Sequence, residues 1–299
     1  MTSAAAARGK TAFSFVLVTL IWGSTWLVIK DQIAIVPPTW TVTWRFVLAS
    51  LGMVALALAR RESLRLPAPA MALAAIIGVF QFCGNFQFVY RAEAYLTSGI
   101  VAVLFALLMV PNALFSRLFL GVAITRRFLA GSVVAMAGIA LLLAHEYGLA
   151  PPGGSVPLGL GLTLAGLLCA SAANVLQATA LARSLPIVPQ IAWAMIFGTL
   201  ANVIMALATE GLPVIDPRPA YLAGVAYLAI VGSVITFPLY FALIRQMGAG
   251  PAAYNGVAVP VVAMALSTLF EGYRWSGLAA GGAVLAMAGL LIAQSAGRP

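Results

Sequence analysis

Residues 133–138 read VVAMAG and residues 284–289 read VLAMAG. Val133, Ala135, Met136, Ala137 and Gly138 return as Val284, Ala286, Met287, Ala288 and Gly289, at a constant offset of 151. The match extends upstream in the same register. Gly131 pairs with Gly282, and Ser116, Phe119 and Gly121 pair with Ser267, Phe270 and Gly272. Farther out, Val110-Pro111 pairs with Val259-Pro260 at an offset of 149, so two residues are inserted between these blocks. A chain that writes one stretch twice, about half its length apart, is built from two related halves. What the halves build depends on the solvent they fold in.

Composition identifies that solvent. The 299 residues are 63% hydrophobic and 8% charged, with a mean hydropathy of +1.06. A soluble domain carries roughly a quarter charged residues, so most of this surface must face lipid. The net charge of +9 forms no Lys/Arg run of the kind nucleic acid requires. In a membrane protein, basic residues mark the cytoplasmic side instead. Cys83 and Cys169 sit inside apolar stretches and read as small core side chains, with no disulfide or metal signal. Arg8 and Lys10 precede a long apolar run with no cleavage site. That run reads as a first membrane helix rather than a signal peptide.

A helix crossing the hydrocarbon core needs roughly 20 apolar residues. Such runs, bounded by charges, Pro and Gly, fall at about 11–29, 39–59, 70–90, 96–116, 128–146, 157–180, 189–209, 220–242, 251–270 and 276–294. Period-2 alternation is absent, which excludes a closed barrel and leaves a helical bundle. Charge placement tests this reading. With the N-terminus in the cytoplasm, the inner side receives Arg8, Lys10, Arg60, Arg61, Arg65, Arg117, Arg126, Arg127, Arg183, Arg245 and Arg298. The outer side receives Lys30, Arg91, Arg218 and Arg274, and Arg45 falls within a span. This is a clear positive-inside pattern, and miscounting one span would destroy it. The sequence therefore predicts ten spans with both termini cytoplasmic, in a bacterial-type inner membrane.

Five spans in each half, residues 1–150 and 151–299, have a topological consequence. An odd number makes the second copy start on the opposite side, so the repeats are inverted. Inverted repeats are the mark of alternating-access transporters, whose substrate site lies near the midplane where the halves meet.

Ten helices in two inverted halves, the WGSTW stretch of helix 1 and Trp44-Arg45-Phe46 early in helix 2 together resemble a known family. So do the paired endings Pro111, Gly121, Gly131, Gly138 and Pro260, Gly272, Gly282, Gly289. Over roughly residues 11–295 the chain resembles the EamA-type branch of the drug/metabolite transporter superfamily. Each motif is weak alone, but the layout is specific. The resemblance implies a ten-helix exporter of small metabolites, with the aromatic and other neutral amino-acid exporters of bacteria among its members. The chain departs from the family's pattern at one point. An acidic residue commonly ends the penultimate helix of each repeat; Glu271 supplies it in the second half, but its first-half counterpart is Leu120.

Helix 5 carries Gly131, Ala135 and Gly138 on one face, and helix 10 carries Gly282, Ala286 and Gly289. This spacing lets backbones approach closely. Both helices lack polar residues mid-span and read as scaffold outside the pathway, which the resemblance also implies. The reading favours a monomer and leaves a dimer contact through helices 5 and 10 open. Pro111, Pro238 and Pro260 lie inside spans and invite bends. The matched pair Pro111 and Pro260 reads as hinges or as static kinks.

Polar groups inside a bilayer need a partner or a water-filled cavity. The candidates are Gln81 and Asn85 on helix 3, Asn112 on helix 4, Ser171, Asn174 and Gln177 on helix 6, Ser233, Thr236 and Tyr240 on helix 8, and Tyr254 and Asn255 opening helix 9. Singly they serve as interhelical glue; together, from both halves, they read as the lining of one cavity. Aromatic residues interleave with them: Trp22, Trp26, Trp44, Phe82, Phe86, Tyr95 and Trp193. Trp40 and Trp275 read as interfacial anchors. Amides between aromatic walls suit a small zwitterion with an apolar side chain. Arg45 lies roughly 9 Å into helix 2 at about 1.5 Å per residue, where a charge needs a partner or water. It reads as a carboxylate clamp for an amino acid, since a guanidinium offers a bidentate fork, as a structural pair with an outer-side acid such as Glu93 or Glu271, or as a side chain snorkelling to the outer interface.

The seven acids all lie at or near span ends, and His145 lies near the outer end of helix 5. This disfavours a midplane proton relay and favours facilitated movement. One His, no HExxH, no Cys–His cluster and no P-loop argue against an enzyme, a metal or cofactor site and an ATP-driven pump. A channel lacks a visible filter. The runner-up is a multidrug or other small-metabolite exporter, proton-coupled or not, whose cation site would want a midplane carboxylate.

Overall fold

Ten apolar helices follow one another in the computed structural model, which describes residues 2–149, 155–247, 252 and 255–295. They are α1 (Thr2–Gln32), α2 (Pro38–Ala59), α3 (Ala68–Ala92), α4 (Ser98–Leu120), α5 (Arg126–Leu149), α6 (Val156–Gln177), α7 (Ile187–Thr209), α8 (Pro219–Gln246), α9 (Asn255–Phe270) and α10 (Gly277–Ser295). Within α1 to α8 lie eight segments long and apolar enough to cross a bilayer, and α9 and α10 contain shorter apolar stretches. Prolines at the first turn start α2, α3, α6 and α8, where the missing N–H has no intrahelical role. The expected span at 157–180 stops at Gln177, because Thr179 caps a separate short helix, Ala180–Ser184, by accepting from the Ala182 N–H at 3.3 Å.

The glycines that end the paired motif have a common conformational cause. Gly121 and Gly272 adopt φ of 70° and 68°, the left-handed region open to glycine. The N–H of the following residue then reaches back to the same serine position in each half: Val122 to the Ser116 carbonyl at 3.2 Å, and Tyr273 to the Ser267 carbonyl at 3.3 Å. The repeated Ser…Gly spacing is therefore the same helix-ending turn made twice.

The quoted repeat packs against itself. A Cβ on Gly138 would lie 2.2 Å from the Ala286 nitrogen and 2.6 Å from the Gly282 carbonyl oxygen. A Cβ on Gly289 would lie 2.2 Å from the Ala135 nitrogen and 2.7 Å from the Gly131 oxygen. Exchanging the copies turns the first pair of contacts into the second, so the two helices cross antiparallel about a two-fold axis. The other packing pairs obey the same exchange. α2 meets α7 and α4 meets α9. Likewise α3 on α7 matches α8 on α2, and α1 on α8 and α9 matches α6 on α3 and α4. The fold is two inverted five-helix repeats. The glycine faces of α5 and α10 are occupied within the chain, and their opposite faces, including Val133 and its counterpart Val284, are exposed.

Two local distortions position the site. In α3, residues Gly78–Asn85 are wound as π-helix, and so are Tyr227–Ile235 at the matching place in α8. Such wide turns leave carbonyls without their usual partners and often adjoin functional sites. In α4, a 3-10 turn at Ala106–Leu108 precedes Pro111, while Pro260 lies inside the continuous helix α9.

Candidate functional site

A cavity of about 110 Å³ lies between the halves, bounded by α1, α2, α3, α4, α6, α8 and α9. A cavity needs roughly 10–15 Å³ of such space to admit one water, so this one is large enough for several waters or a small solute. Its walls are mainly apolar and aromatic. The Trp22 ring meets Tyr240 at 4.7 Å and Phe237 at 5.5 Å, both edge-on, and Trp26 meets Phe105 at 5.3 Å.

The charge in this cavity is Arg45. Its side chain is 1% exposed. Nε donates to the Ser233 hydroxyl at 3.1 Å, Nη1 to the Tyr90 hydroxyl at 3.0 Å and Nη2 to the Gly232 carbonyl at 3.4 Å. The guanidinium also lies over the Phe86 ring, 4.5 Å from its centroid. Ser233 and Gly232 belong to the π-helical stretch of α8, whose winding presents both oxygens to Arg45. All these partners are neutral. Among the described residues the ion pairs are Arg60–Glu62 and Arg218–Asp216, so Arg45 is not paired with Glu93 or Glu271. Hydrogen bonds to a charged group stabilise by about 1.5–3 kcal/mol each, which offsets much of the cost of burial. No carboxylate lies within ion-pair distance of it among the described residues.

Around Arg45, several polar atoms lack partners. Trp26 Nε1, Gln81 Oε1, Asn85 Oδ1 and Asn255 Nδ2 are buried and make no hydrogen bond, and all four residues line the cavity. Asn255 is anchored through its other atom, Oδ1, which accepts from Thr19 at 2.8 Å. Asn174 and the Tyr240 hydroxyl satisfy one another, and Trp22 Nε1 donates to the Gly232 carbonyl at 3.3 Å. An orphaned buried polar atom is costly, and all four belong to residues that line one cavity. Two acceptors on α3 and donors from α1, α2 and α9 match a molecule that carries both an acidic and an ammonium group.

The sequence candidates thus separate into two groups. Trp22, Arg45, Gln81, Asn85, Asn174, Tyr240 and Asn255 come together around the cavity, and Pro260 adjoins it. The others lie elsewhere. Trp44 stacks on Trp40 at 5.6 Å and donates to the Val214 carbonyl at 2.8 Å. Tyr95 is exposed, and Asn112, next to Pro111 on α4, is fully buried with both amide atoms unpartnered and is not among the cavity-lining residues. Gln177 accepts from Arg245 at 3.4 Å. Trp193 donates to the Leu64 carbonyl at 2.8 Å. Tyr254 lies outside the described residues. Trp40 is a correction: it is 2% exposed and covered by Trp44 and neighbouring helices, so it anchors no interface, whereas Trp275 is exposed.

Two features escaped the sequence reading. Tyr90 holds Arg45, and its only signal is the i, i+4 spacing from Phe86 on the cavity face of α3. Glu93, which the sequence places at a span end and offers as a partner for Arg45, makes no ion pair with it. It is fully buried, and neither carboxylate oxygen has a hydrogen-bond partner.

Comparison with known proteins agrees with this architecture. The profile of the EamA-like transporter family matches residues 9–144 and again residues 157–294. YedA, an inner membrane transporter of Escherichia coli, is 29% identical over 263 residues, covering 83% of this chain and 79% of its own. A probable amino-acid metabolite efflux pump of Salmonella typhimurium is 25% identical over 296 residues, covering 95% and 94%. Protein PagO of Salmonella typhimurium is 30% identical over 132 residues, which is 44% of this chain and 43% of that protein. A crystal structure with 20% sequence identity superposes with a TM-score of 0.72 over 95% of this chain and 96% of that one.

Proposed function

The chain belongs to the EamA-like transporter family, and from that premise we propose that it exports neutral amino acids across the inner membrane by alternating access. The observation that carries this reading is Arg45, a buried guanidinium with only neutral partners at the wall of a cavity between two inverted halves. A substrate carboxylate would neutralise it. The free acceptors of Gln81 and Asn85 would take the ammonium group, and the aromatic walls the apolar side chain. The amino-acid metabolite efflux pump named above supports the substrate class. The two halves rock about the cavity, with Pro111 and Pro260 as hinges, and the substrate gradient drives net movement. The positive-inside pattern supports cytoplasmic termini, and the chain works as a monomer.

The test is counterflow of labelled threonine, methionine and phenylalanine in proteoliposomes, with Arg45→Lys and Arg45→Gln beside the native protein. Saturable exchange is expected for at least one amino acid. Arg45→Lys keeps the charge but loses the fork, and should raise the half-saturating concentration; Arg45→Gln should abolish exchange in folded protein. Exchange unchanged in Arg45→Gln would refute the clamp. No exchange for any amino acid, with exchange for lipophilic cations, would replace the substrate class.

A further inference from the structure

Beyond the cavity, toward Lys30, the two halves are latched by a polar cluster. Val89 and Ile29 line the cavity at that end, and Glu93 and Lys30 lie about one turn and one residue farther along α3 and α1. Lys30 Nζ donates to the backbone carbonyls of Glu93 and Leu96, not to the Glu93 carboxylate. Across the interface, Ser98 of the first half donates to Glu271 of the second at 2.6 Å, and Ser267 donates to the same carboxylate oxygen. Gln32 Nε2 donates to the Tyr221 carbonyl at 3.1 Å, again joining the halves. Ile29, Gln32, Leu96 and Ser98 are all buried, so this end is closed.

Inside the closed latch sits the Glu93 carboxyl, fully buried and with neither oxygen accepting a hydrogen bond from the protein. The charged and titratable groups facing it are Lys30 from α1, Arg45 from α2, Glu271 beyond α9, and Tyr90 on its own helix. A carboxylate removed from water without a donor is strongly disfavoured relative to the neutral acid.

We propose that Glu93 is a proton-binding site, filled while the Lys30 end is closed and emptied when that end opens, so that this end is a pH-sensitive gate. Burial holds the Glu93 carboxyl well above the usual carboxylate range; Lys30 and Arg45 oppose the shift and Glu271 adds to it. The sign follows from linkage. The closed state binds the extra proton, so closure is fully favoured at pH below the ordinary carboxylate value. It weakens as pH rises toward the raised value, by at most about tenfold per pH unit for one proton. Glu93 lies on the Lys30 side of the cavity, so it takes up and releases its proton on that side. The proton regulates opening and is not carried across. The inference rests on alternating access but not on the identity of the substrate.

The test reads opening directly. Val89→Cys is introduced with Cys83→Ala and Cys169→Ala, and an impermeant thiol reagent is applied from the Lys30 side between about pH 5 and 8. Rates are normalised to Ile35→Cys, at an exposed position near that end. The normalised rate should rise with pH when Glu93 is present and be pH-independent in Glu93→Gln. Glu271→Gln should shift the rise to lower pH, and it covers the case in which Glu93→Gln does not fold. Labelling that is pH-independent with Glu93 present, or equally pH-dependent in Glu93→Gln, overturns the gate and leaves alternating access standing. No labelling from that side at any pH overturns both. Accumulation of substrate against its gradient, driven by a pH difference alone, would show instead that the proton crosses.

Discussion

Substituting Gly138 by Ala adds one methyl group at one of the three equally tight points of the α5–α10 crossing. The new Cβ would stand 2.2 Å from the backbone nitrogen of Ala286 and 2.7 Å from its Cα. Heavy atoms in good contact sit about 3.5–4 Å apart, so the backbones must separate locally by roughly 1.3 Å. The obstacle is backbone, so no side chain can turn aside. A gap of about 0.5–1 Å forfeits a quarter to a half of the attraction between facing atoms, and the loss spreads to the neighbouring contacts of Gly131, Ala135, Gly282 and Gly289. Overpacking of this kind costs about 1–3 kcal/mol, or about 5- to 150-fold in the folded-to-unfolded ratio. Gly281→Ala is the control, since its Cβ would meet nothing within 4 Å; there, Ala should be neutral or gain up to about 1 kcal/mol in helix propensity. Gly289→Ala should match Gly138→Ala, because the closest approach is again 2.2 Å. The assay is reversible unfolding by denaturing detergent in mixed micelles, followed by tryptophan fluorescence. The result that would refute the reasoning is Gly138→Ala lying within about 0.5 kcal/mol of Gly281→Ala, the range of substitutions that disturb nothing.

Three further outcomes are expected. Gln81→Leu and Asn85→Leu should leave thermal stability unchanged or raise it by about 1 kcal/mol, since each removes an unsatisfied buried oxygen, while slowing amino-acid counterflow at least tenfold; a melting temperature that falls together with transport would make these residues structural. Trp193→Phe should lose about 1 kcal/mol with its 2.8 Å bond to the Leu64 carbonyl, and its transport rate per folded molecule should match the native protein. Asp216 is held below the usual carboxylate range by the Arg218 N–H and guanidinium. Its hold on the loop before α8 should therefore be complete above the ordinary Asp value and fade only as pH falls through the lowered one, read as amide hydrogen exchange at residues 211–218; loosening already near neutral pH would contradict the assignment.

Much of the site was legible residue by residue, and its failures have a common cause. Helical period places Gln81 and Asn85 on one face and isolates Arg45 as a charge needing an explanation. It cannot tell a cavity from a helix contact. Trp44 and Trp193 have the same composition cues as Trp22, but their indole N–H groups reach the loop carbonyls of Val214 and Leu64, whereas Trp22 donates to the Gly232 carbonyl beside the cavity. Gln177 is taken up by Arg245. The Gly232 carbonyl has no sequence signal at all, because it is released by a change in helical winding.

The sequence by itself determined the solvent, the number of helices, their inverted halves and the self-complementary glycine motif. Each of these is set by local quantities: transfer of apolar side chains to lipid, an odd count of spans, and the room a missing Cβ leaves. Only the tertiary structure decided what those helices enclose. Whether a polar group meets a partner, a cavity or a sealed interior depends on neighbours hundreds of residues away in the chain. Arg45 is left with neutral partners because α8 supplies oxygens without charge. Glu93, near the end of its span, is fully buried because the second half closes over it.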